Sequence, residues 1–164
     1  MLSETRVYLG IGSNIDRSKA ISKALLLLEQ VFGKLDISPT FESEAVGFSG
    51  DNFYNLVVSF TTHLSLTVMV KTYKKIEDQS GRNRSDPKFS ARTLDIDPLI
   101  YGDLVCDTPV QLPRDEILKN AYVLWPLAIM AGDEKHPETG LSFSEHWKMY
   151  DKNQKLWQVD TDWD

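Results

Sequence analysis

The stretch 92-RTLDIDPLIYGD-103 does most to limit what this chain can fold into. Successive side chains on a β-strand point to opposite faces, so Leu94 and Ile96 share one face and Asp95 and Asp97 the other. The apolar face belongs against a core. The acidic face is harder to place, because two carboxylates about 6–7 Å apart at their bases repel each other. Solvent, arginine partners or divalent cations must offset that repulsion. A D-x-D pair alone suits a solvated strand face as readily as a metal site, and both readings stay open here.

The rest of the chain provides elements for a sheet of this kind. Residues 6–11 read as a buried strand ending at Gly12, with Ser13 and Asn14 as caps for a helix over 16–32 whose Ile21, Leu25, Leu28 and Phe32 fall at helical spacing. Gly33 ends that helix. Residues 34–42 alternate as a strand, 43–52 form a glycine-containing loop, and 53–62 form a β-branched and aromatic strand. Ser65 caps a second helix over 66–79, with Val68, Met69, Tyr73 and Ile76 as its apolar face and Gly81 as its stop. Beyond the acidic strand, Tyr101-Gly102-Asp103 predicts a turn into a β-hairpin with LVCD. Residues 112–132 predict a short helix and then a longer one, and Ser142 to Met149 a last helix before an acidic tail. Strands and helices mix without a strict βαβα repeat, which favours an α+β domain over a parallel doubly wound sheet.

The 164 residues are enough for one domain with its own core, spanning 1–164. A net charge of −6 argues against general nucleic-acid binding, and the longest apolar runs are too short to span a membrane. One cysteine, Cys106, rules out an internal disulfide and reads as a small strand residue, as expected of a soluble cytoplasmic protein. His63, His136 and His146 are scattered, with no metal-ligand spacing, and the four tryptophans read as packing residues.

One segment reverses the sign of the charge. The loop 82-RNRSDPKFSAR-92 sets Arg82, Arg84, Lys88 and Arg92 against a single acid, Asp86. Guanidinium forks match phosphate oxygens, so this loop beside two aspartates suits phosphoryl transfer, with carboxylates holding Mg²⁺ and arginines holding phosphate. A solvated loop or a counterion set for the aspartates is the alternative. There is no G-x-x-x-x-G-K-[ST] loop, which excludes a P-loop enzyme, and the protein-kinase motifs are missing. Gly10-Ile11-Gly12 lacks the third glycine of a dinucleotide fingerprint and reads as a tight strand-to-helix turn.

LGIGSN at 9–14, FYNLVV at 53–58, GRNR at 81–84, RTLDIDPLIYGD at 92–103 and LPRDEILKNAYVLWPL at 112–127 together resemble the 6-hydroxymethyl-7,8-dihydropterin pyrophosphokinase family of folate biosynthesis. The resemblance implies a ferredoxin-like α+β core, an antiparallel sheet with helices on both faces. It implies transfer of the β,γ-diphosphate of ATP to the hydroxymethyl group of the pterin, with release of AMP. By position, Asp95 and Asp97 would hold two Mg²⁺ ions, while Arg82 and Arg92, with Asp97, would carry the catalytic step. Lys74, Glu77, Arg84, Lys88 and Arg114 would contact ATP. Ser43, Val46, Phe53, Asn55 and Tyr122 would contact the pterin, Tyr122 by stacking. ATP and the pterin would be the only partners of a monomer, with no nucleic acid and no membrane.

The chain departs from the family pattern at Glu44, Ser85, Lys88, Phe89, Pro98, Arg114 and Asn120. Arg114 stands where a histidine is usual, and Asn120 where an arginine is common. An altered paralogue, binding nucleotide or pterin without turnover, is the competing expectation. A metal-dependent nuclease would share the D-x-D chemistry but fits poorly with an acidic chain.

Overall fold

A computed structural model describes residues 3–44, 51–80, 94–151, 154–161 and 163. In chain order the elements are β1 (Thr5–Ser13), α1 (Arg17–Phe32), β2 (Asp36–Ile37), β3 (Thr40–Ser43), β4 (Phe53–Thr62), α2 (Leu66–Gln79), β5 (Asp95–Tyr101), α3 (Ala121–Ala131), α4 (Phe143–Met149) and β6 (Leu156–Val159), with a 3₁₀ turn at Asp115–Leu118. The strands form one antiparallel sheet in the order β5-β1-β4-β3-β6, and β2 also pairs with β4.

Two cores flank the sheet. On one face α1 and α2 bury Ile21, Leu25, Leu28, Met69 and Tyr73 against Leu9, Ile11, Val58, Leu94 and Ile96. On the other, Val123, Leu124 and Leu127 of α3 and Phe143 of α4 pack on Tyr8, Val57, Leu99 and Ile100. This is the α+β arrangement expected, helices on both faces of an antiparallel sheet. Among the described residues no helix is long and apolar enough to cross a membrane.

Local chemistry accounts for where the elements begin and end. Ser65 Oγ accepts from the Val68 N–H and caps α2, and Gly33, at φ 83°, closes α1 by donating to Glu29 O. The caps expected for α1 are not the ones used. Its N-cap is Asp16, in the left-handed region, with no side-chain bond. Ser13 Oγ donates to Ile15 O and Asn14 Nδ2 to Asp51 O, so both side chains secure the entry loop instead. On α2 the apolar face is Met69, Val70, Tyr73 and Ile76, whereas Val68 is 45% exposed, one position out of phase with the core. Gly81 lies outside the described residues, and Ser80 is the C-cap.

The strand expected over 34–42 is split at Pro39, which has no N–H for the ladder. Ile37 faces Val58 while Phe41 faces Asn55, so one extra residue is accommodated as a bulge. Ser38 bridges the break: its N–H donates to Val57 O and its Oγ accepts from the Val57 N–H.

The turn at Gly102 forms, at φ 56°, but the hairpin beyond it does not. Gly102 N–H returns to Arg6 O, and Cys106 makes only an isolated bridge to Leu112. LVCD at 104–107 turns away from β5: Leu104 N–H donates back to Tyr101 O, and Cys106 N–H to Leu112 O. β6 was not expected; it extends the opposite edge of the sheet by pairing with β3.

Candidate active site

β1 lies between β4 and β5 in fixed register: Gly12 faces Asn55 on one side and Asp95 on the other, and Gly10 faces Val57 and Asp97. Directly paired residues share a face, so Asn55, Asp95 and Asp97 all point to the side covered by α3. Between them the central strand carries no side chain. The core on this face stops at Tyr8 and Val57, and where the glycines begin there is a cavity of about 140 Å³. Its lining includes Ser43, Phe53, Asn55, Asp95, Asp97 and Tyr122.

The two glycines are therefore not a strand-to-helix turn. Both lie within β1 and form the floor of the cavity. A Cβ on Gly12 would stand 2.8 Å from Asn55 Oδ1, so the glycine is needed for space and not for an unusual backbone angle.

β5 is a sheet edge held from both sides. On the inside it pairs with β1; on the outside Glu77, buried in α2 at 5% exposure, accepts the Ile96 N–H at 2.6 Å. That donor lies between the two aspartates, so Glu77 fixes the strand segment that carries them. Pro98 is tolerated because β5 is an edge strand and because the register shifts here: Leu9 faces Pro98, while Tyr8 faces Ile100. Leu99, left without a register partner by the shift, accepts the Arg114 N–H on its carbonyl oxygen at 2.9 Å.

That bond places the Arg114 guanidinium beside the carboxylates. Nη2 is 3.6 Å from Asp97 Oδ1 and 3.0 Å from Glu116 Oε1. Burial works against the charge of Arg114, but Asp97 and then Glu116 outweigh it and raise its pKa above the ordinary value. Glu116 lines the cavity as well, a residue not among those expected at the site although it lies in the 112–127 stretch. Tyr122, in the first turn of α3, receives a 2.9 Å hydrogen bond on its hydroxyl from Asn120 Nδ2. Burial, then Glu116 and Asp97, push the Tyr122 phenol up to about 12, so the hydroxyl is neutral at any physiological pH.

Of the residues expected at the site, Asp95, Asp97, Ser43, Phe53, Asn55 and Tyr122 meet at this cavity, and Arg114 borders it through Asp97. Asn55 Nδ2 donates to Ser43 Oγ at 3.3 Å, which ties the neighbouring strands together at its rim. Lys74 is exposed on α2, one turn from Glu77. Arg82, Arg84, Lys88, Arg92 and Val46 lie outside the described residues.

The histidines are less scattered than their spacing suggested: the rings of His136 and His146 are 5.6 Å apart. His136 Nδ1 accepts the N–H groups of Glu138 and Thr139, a structural turn remote from the cavity. Trp125 and Trp147 stack at 5.1 Å in the packing between α3 and α4. Among the described residues, no three His, Cys, Asp or Glu side chains converge to cage a metal ion.

The model of a protein family described as 7,8-dihydro-6-hydroxymethylpterin-pyrophosphokinase (HPPK) matches residues 8–132. The chain is 32% identical, over 81% of its length and 85% of the relative's, to the 2-amino-4-hydroxy-6-hydroxymethyldihydropteridine pyrophosphokinase of Pseudomonas aeruginosa. It is 33% identical to the Helicobacter pylori protein of the same name, over 76% of this chain and 80% of that one. Among solved structures, wild-type Plasmodium falciparum HPPK-DHPS with pteroate aligns at a TM-score of 0.70 and 14% identity, a likeness of fold alone. That alignment covers 90% of this chain but only 42% of the longer Plasmodium chain.

Proposed function

Because the chain belongs to the 7,8-dihydro-6-hydroxymethylpterin-pyrophosphokinase family, we propose that it transfers the β,γ-diphosphate of ATP to the hydroxymethyl oxygen of 6-hydroxymethyl-7,8-dihydropterin in folate synthesis. The observation that carries the reading is the cavity floored by Gly10 and Gly12, with Asn55 on one side and Asp95 and Asp97 on the other. A flat, polar-edged heterocycle needs an uncluttered floor, an amide to read its edge and an aromatic wall. Gly12, Asn55 and Tyr122 fill those roles. Its hydroxymethyl arm would reach toward the aspartates.

The donor set fits Mg²⁺. Asp95 and Asp97 share a face, and the Asp97 side chain is 42% exposed, so water and phosphate oxygens have access to the same place. Mg²⁺ characteristically takes one or two protein carboxylates and fills its shell from water and phosphate, so a three-residue cage is not needed. Bound there, Mg²⁺ would supply charge neutralisation for the polyphosphate and alignment of the two substrates.

The remaining work falls to side chains of this protein. As the hydroxymethyl oxygen bonds to the β-phosphorus, the bond from that phosphorus to the α-bridging oxygen breaks, and AMP leaves with the electron pair. The hydroxyl proton is released in the same step, and Asp97 is the acceptor the reading assigns. Arg82 and Arg92 would neutralise the transferring phosphates, Arg114 would add a third guanidinium, and Lys74, Arg84 and Lys88 would complete the ATP contacts. Glu77, expected among them, is buried and instead holds the Ile96 N–H. Ser43, Val46 and Phe53 would border the pterin. Alignment and charge neutralisation carry most of such a reaction, since the attacking group needs little base. The reading takes 1–164 as one domain, working as a cytoplasmic monomer on small molecules. The test is product analysis: with ATP, Mg²⁺ and the hydroxymethyl pterin the protein releases AMP and a pterin diphosphate. Release of ADP, or no turnover at saturating Mg²⁺, would refute it.

A further inference from the structure

α3 starts with an unusual division of labour. Asn120 is its N-cap, in an extended conformation, and an asparagine there ordinarily turns its side chain onto the free N–H groups of the first turn. Here it makes no such bond. Its Nδ2 is committed to the Tyr122 hydroxyl at 2.9 Å. One of the free N–H groups, that of Ala121, is taken by Gln154 Oε1 at 2.7 Å, from thirty-three positions away. The same Gln154 amide directs Nε2 at Asn120 Oδ1, 3.4 Å away, and at Lys119 O, 3.5 Å away. Tyr150 adds a bond from its hydroxyl to Lys119 O at 2.7 Å.

The main chain beneath is fixed too. Asn120 N–H donates to Glu116 O, and Asn120 O accepts from Val123 and Leu124. The segment around Tyr150 and Gln154 lies beyond residues 8–132, the part matched by the family model. It thus clamps the few residues from which Tyr122 projects into the cavity. Pro126 makes such support more important. It has no N–H to offer the Tyr122 carbonyl four residues earlier, so the first turn of α3 is one internal hydrogen bond short.

We infer that Asn120 and Gln154 are positioning residues: through the Tyr122 hydroxyl and the first turn of α3 they set the orientation of the Tyr122 ring against the bound pterin. Gln154 holds the N-terminus of the helix, which releases the Asn120 side chain to hold the phenol. Neither touches substrate, and the C-terminal segment thereby contributes to pterin affinity. The inference rests on the assignment of the cavity to the pterin.

Calorimetry on the full chain tests it, with the hydroxymethyl pterin titrated into protein saturated with Mg²⁺ and a non-hydrolysable ATP analogue, and the analogue titrated separately. Asn120→Ala and Gln154→Ala should each weaken the pterin roughly fivefold, the scale of a lost cap or a lost neutral hydrogen bond. Affinity for the analogue should stay within about twofold, because neither side chain faces the nucleotide in this reading. Gln154→Glu keeps an acceptor for the Ala121 N–H and should recover most of the loss. Tyr122→Phe removes the group that Asn120 holds, so adding Asn120→Ala to it should cost nothing further. The inference is overturned if both alanine variants bind pterin like the wild type, if they weaken both ligands equally, or if Asn120→Ala costs as much in the Tyr122→Phe background. Wild-type protein that fails to bind the pterin overturns the cavity assignment with it, whereas wild-type binding with unaffected variants overturns the positioning role alone.

Discussion

Gly12→Ala separates the demands of the fold from those of the site. The backbone of Gly12 does not occupy the left-handed region, so alanine can adopt it, and the added Cβ would meet Asn55 Oδ1 at 2.8 Å, with the next contacts at 3.8 Å. The only atom that must move is the end of a short side chain, and moving it breaks the 3.3 Å bond from Asn55 Nδ2 to Ser43 Oγ. Losing that bond costs about 1 kcal/mol. Replacing a glycine within a strand returns about 0.5–1 kcal/mol through the unfolded state. The two nearly cancel, and Tm should move by less than about 4 °C for a domain of this size. Binding has no such compensation. A displaced Asn55 amide forfeits a donor and an acceptor to the pterin edge at about 1 kcal/mol each, and the methyl intrudes on the cavity, so pterin affinity should fall roughly 30- to 150-fold. Gly10→Ala is the control: its Cβ meets only Leu99 carbons at 3.6 Å, an ordinary contact that displaces no polar group. It should weaken the pterin by no more than about fivefold, within the cost of one added methyl. Thermal unfolding by circular dichroism and calorimetric titration of the pterin give the two readouts. A Gly12→Ala protein that binds pterin as the wild type does, or that loses more than about 8 °C in Tm, would refute the reasoning.

Asp97→Asn should lower turnover by roughly a thousandfold, the scale of losing charge stabilisation at a phosphoryl-transfer centre, with the Tm of the ligand-free protein unchanged or slightly raised. Arg114 keeps Glu116 at 3.0 Å in that variant, and one of several neighbouring negative charges is gone. A large loss of ligand-free stability would instead assign Asp97 a structural role. His136 gives a pH signature: it is 3% exposed, and burial, then His146, hold its pKa below the ordinary 6.5. The unfolded chain therefore binds the proton first, so the contribution of His136 to stability is complete above about pH 6.5 and is lost as pH falls from there through the depressed folded value. His136→Asn, whose Oδ1 can still accept the Glu138 and Thr139 N–H groups, should flatten the fall in Tm between about pH 6.5 and pH 5; an unchanged slope would assign the acid sensitivity to other groups.

The parts of this structure legible from sequence are those where a local rule and the tertiary fold agree. Leu94 and Ile96 alternate with Asp95 and Asp97 as the two faces of a strand must, and the fold supplies a core for one pair and a cavity for the other. Ser65 follows a strand and precedes an amphipathic run, so its capping role needs nothing beyond its neighbours. Failures arose where a residue serves something distant. Ser13 and Asn14 are good caps by composition, yet Asn14 is drawn to Asp51 across the chain. Gly10 and Gly12 resemble a turn, but the reason for Gly12 is the Asn55 side chain on another strand, which no local pattern can reveal. β6 is short and mostly exposed on its outer side, and it becomes a strand only because β3 offers it an edge. Glu116 shows the same limit within the site, since a 3₁₀ turn, and not a periodic helix, brings it to the cavity.

Pro98 and Arg114 are linked through the acidic strand. Glu44, Asp95, Asp97 and Glu116 line the cavity, and among the described residues Arg114 is the guanidinium in contact with two carboxylates of this region. Leu99, next to Pro98, is the residue of β5 that the register shift leaves without a partner, and its O accepts the Arg114 N–H. The strand irregularity beside Pro98 and the placement of Arg114 thus meet at one hydrogen bond. On the outer side of β5 Glu77 accepts the Ile96 N–H, which fixes the segment between the two aspartates. A polyanion approaching so acidic a surface is repelled unless cations accompany it. Arg114 supplies one such cation beside Asp97 and Glu116, and in the proposed function divalent ions on Asp95 and Asp97 would supply the rest.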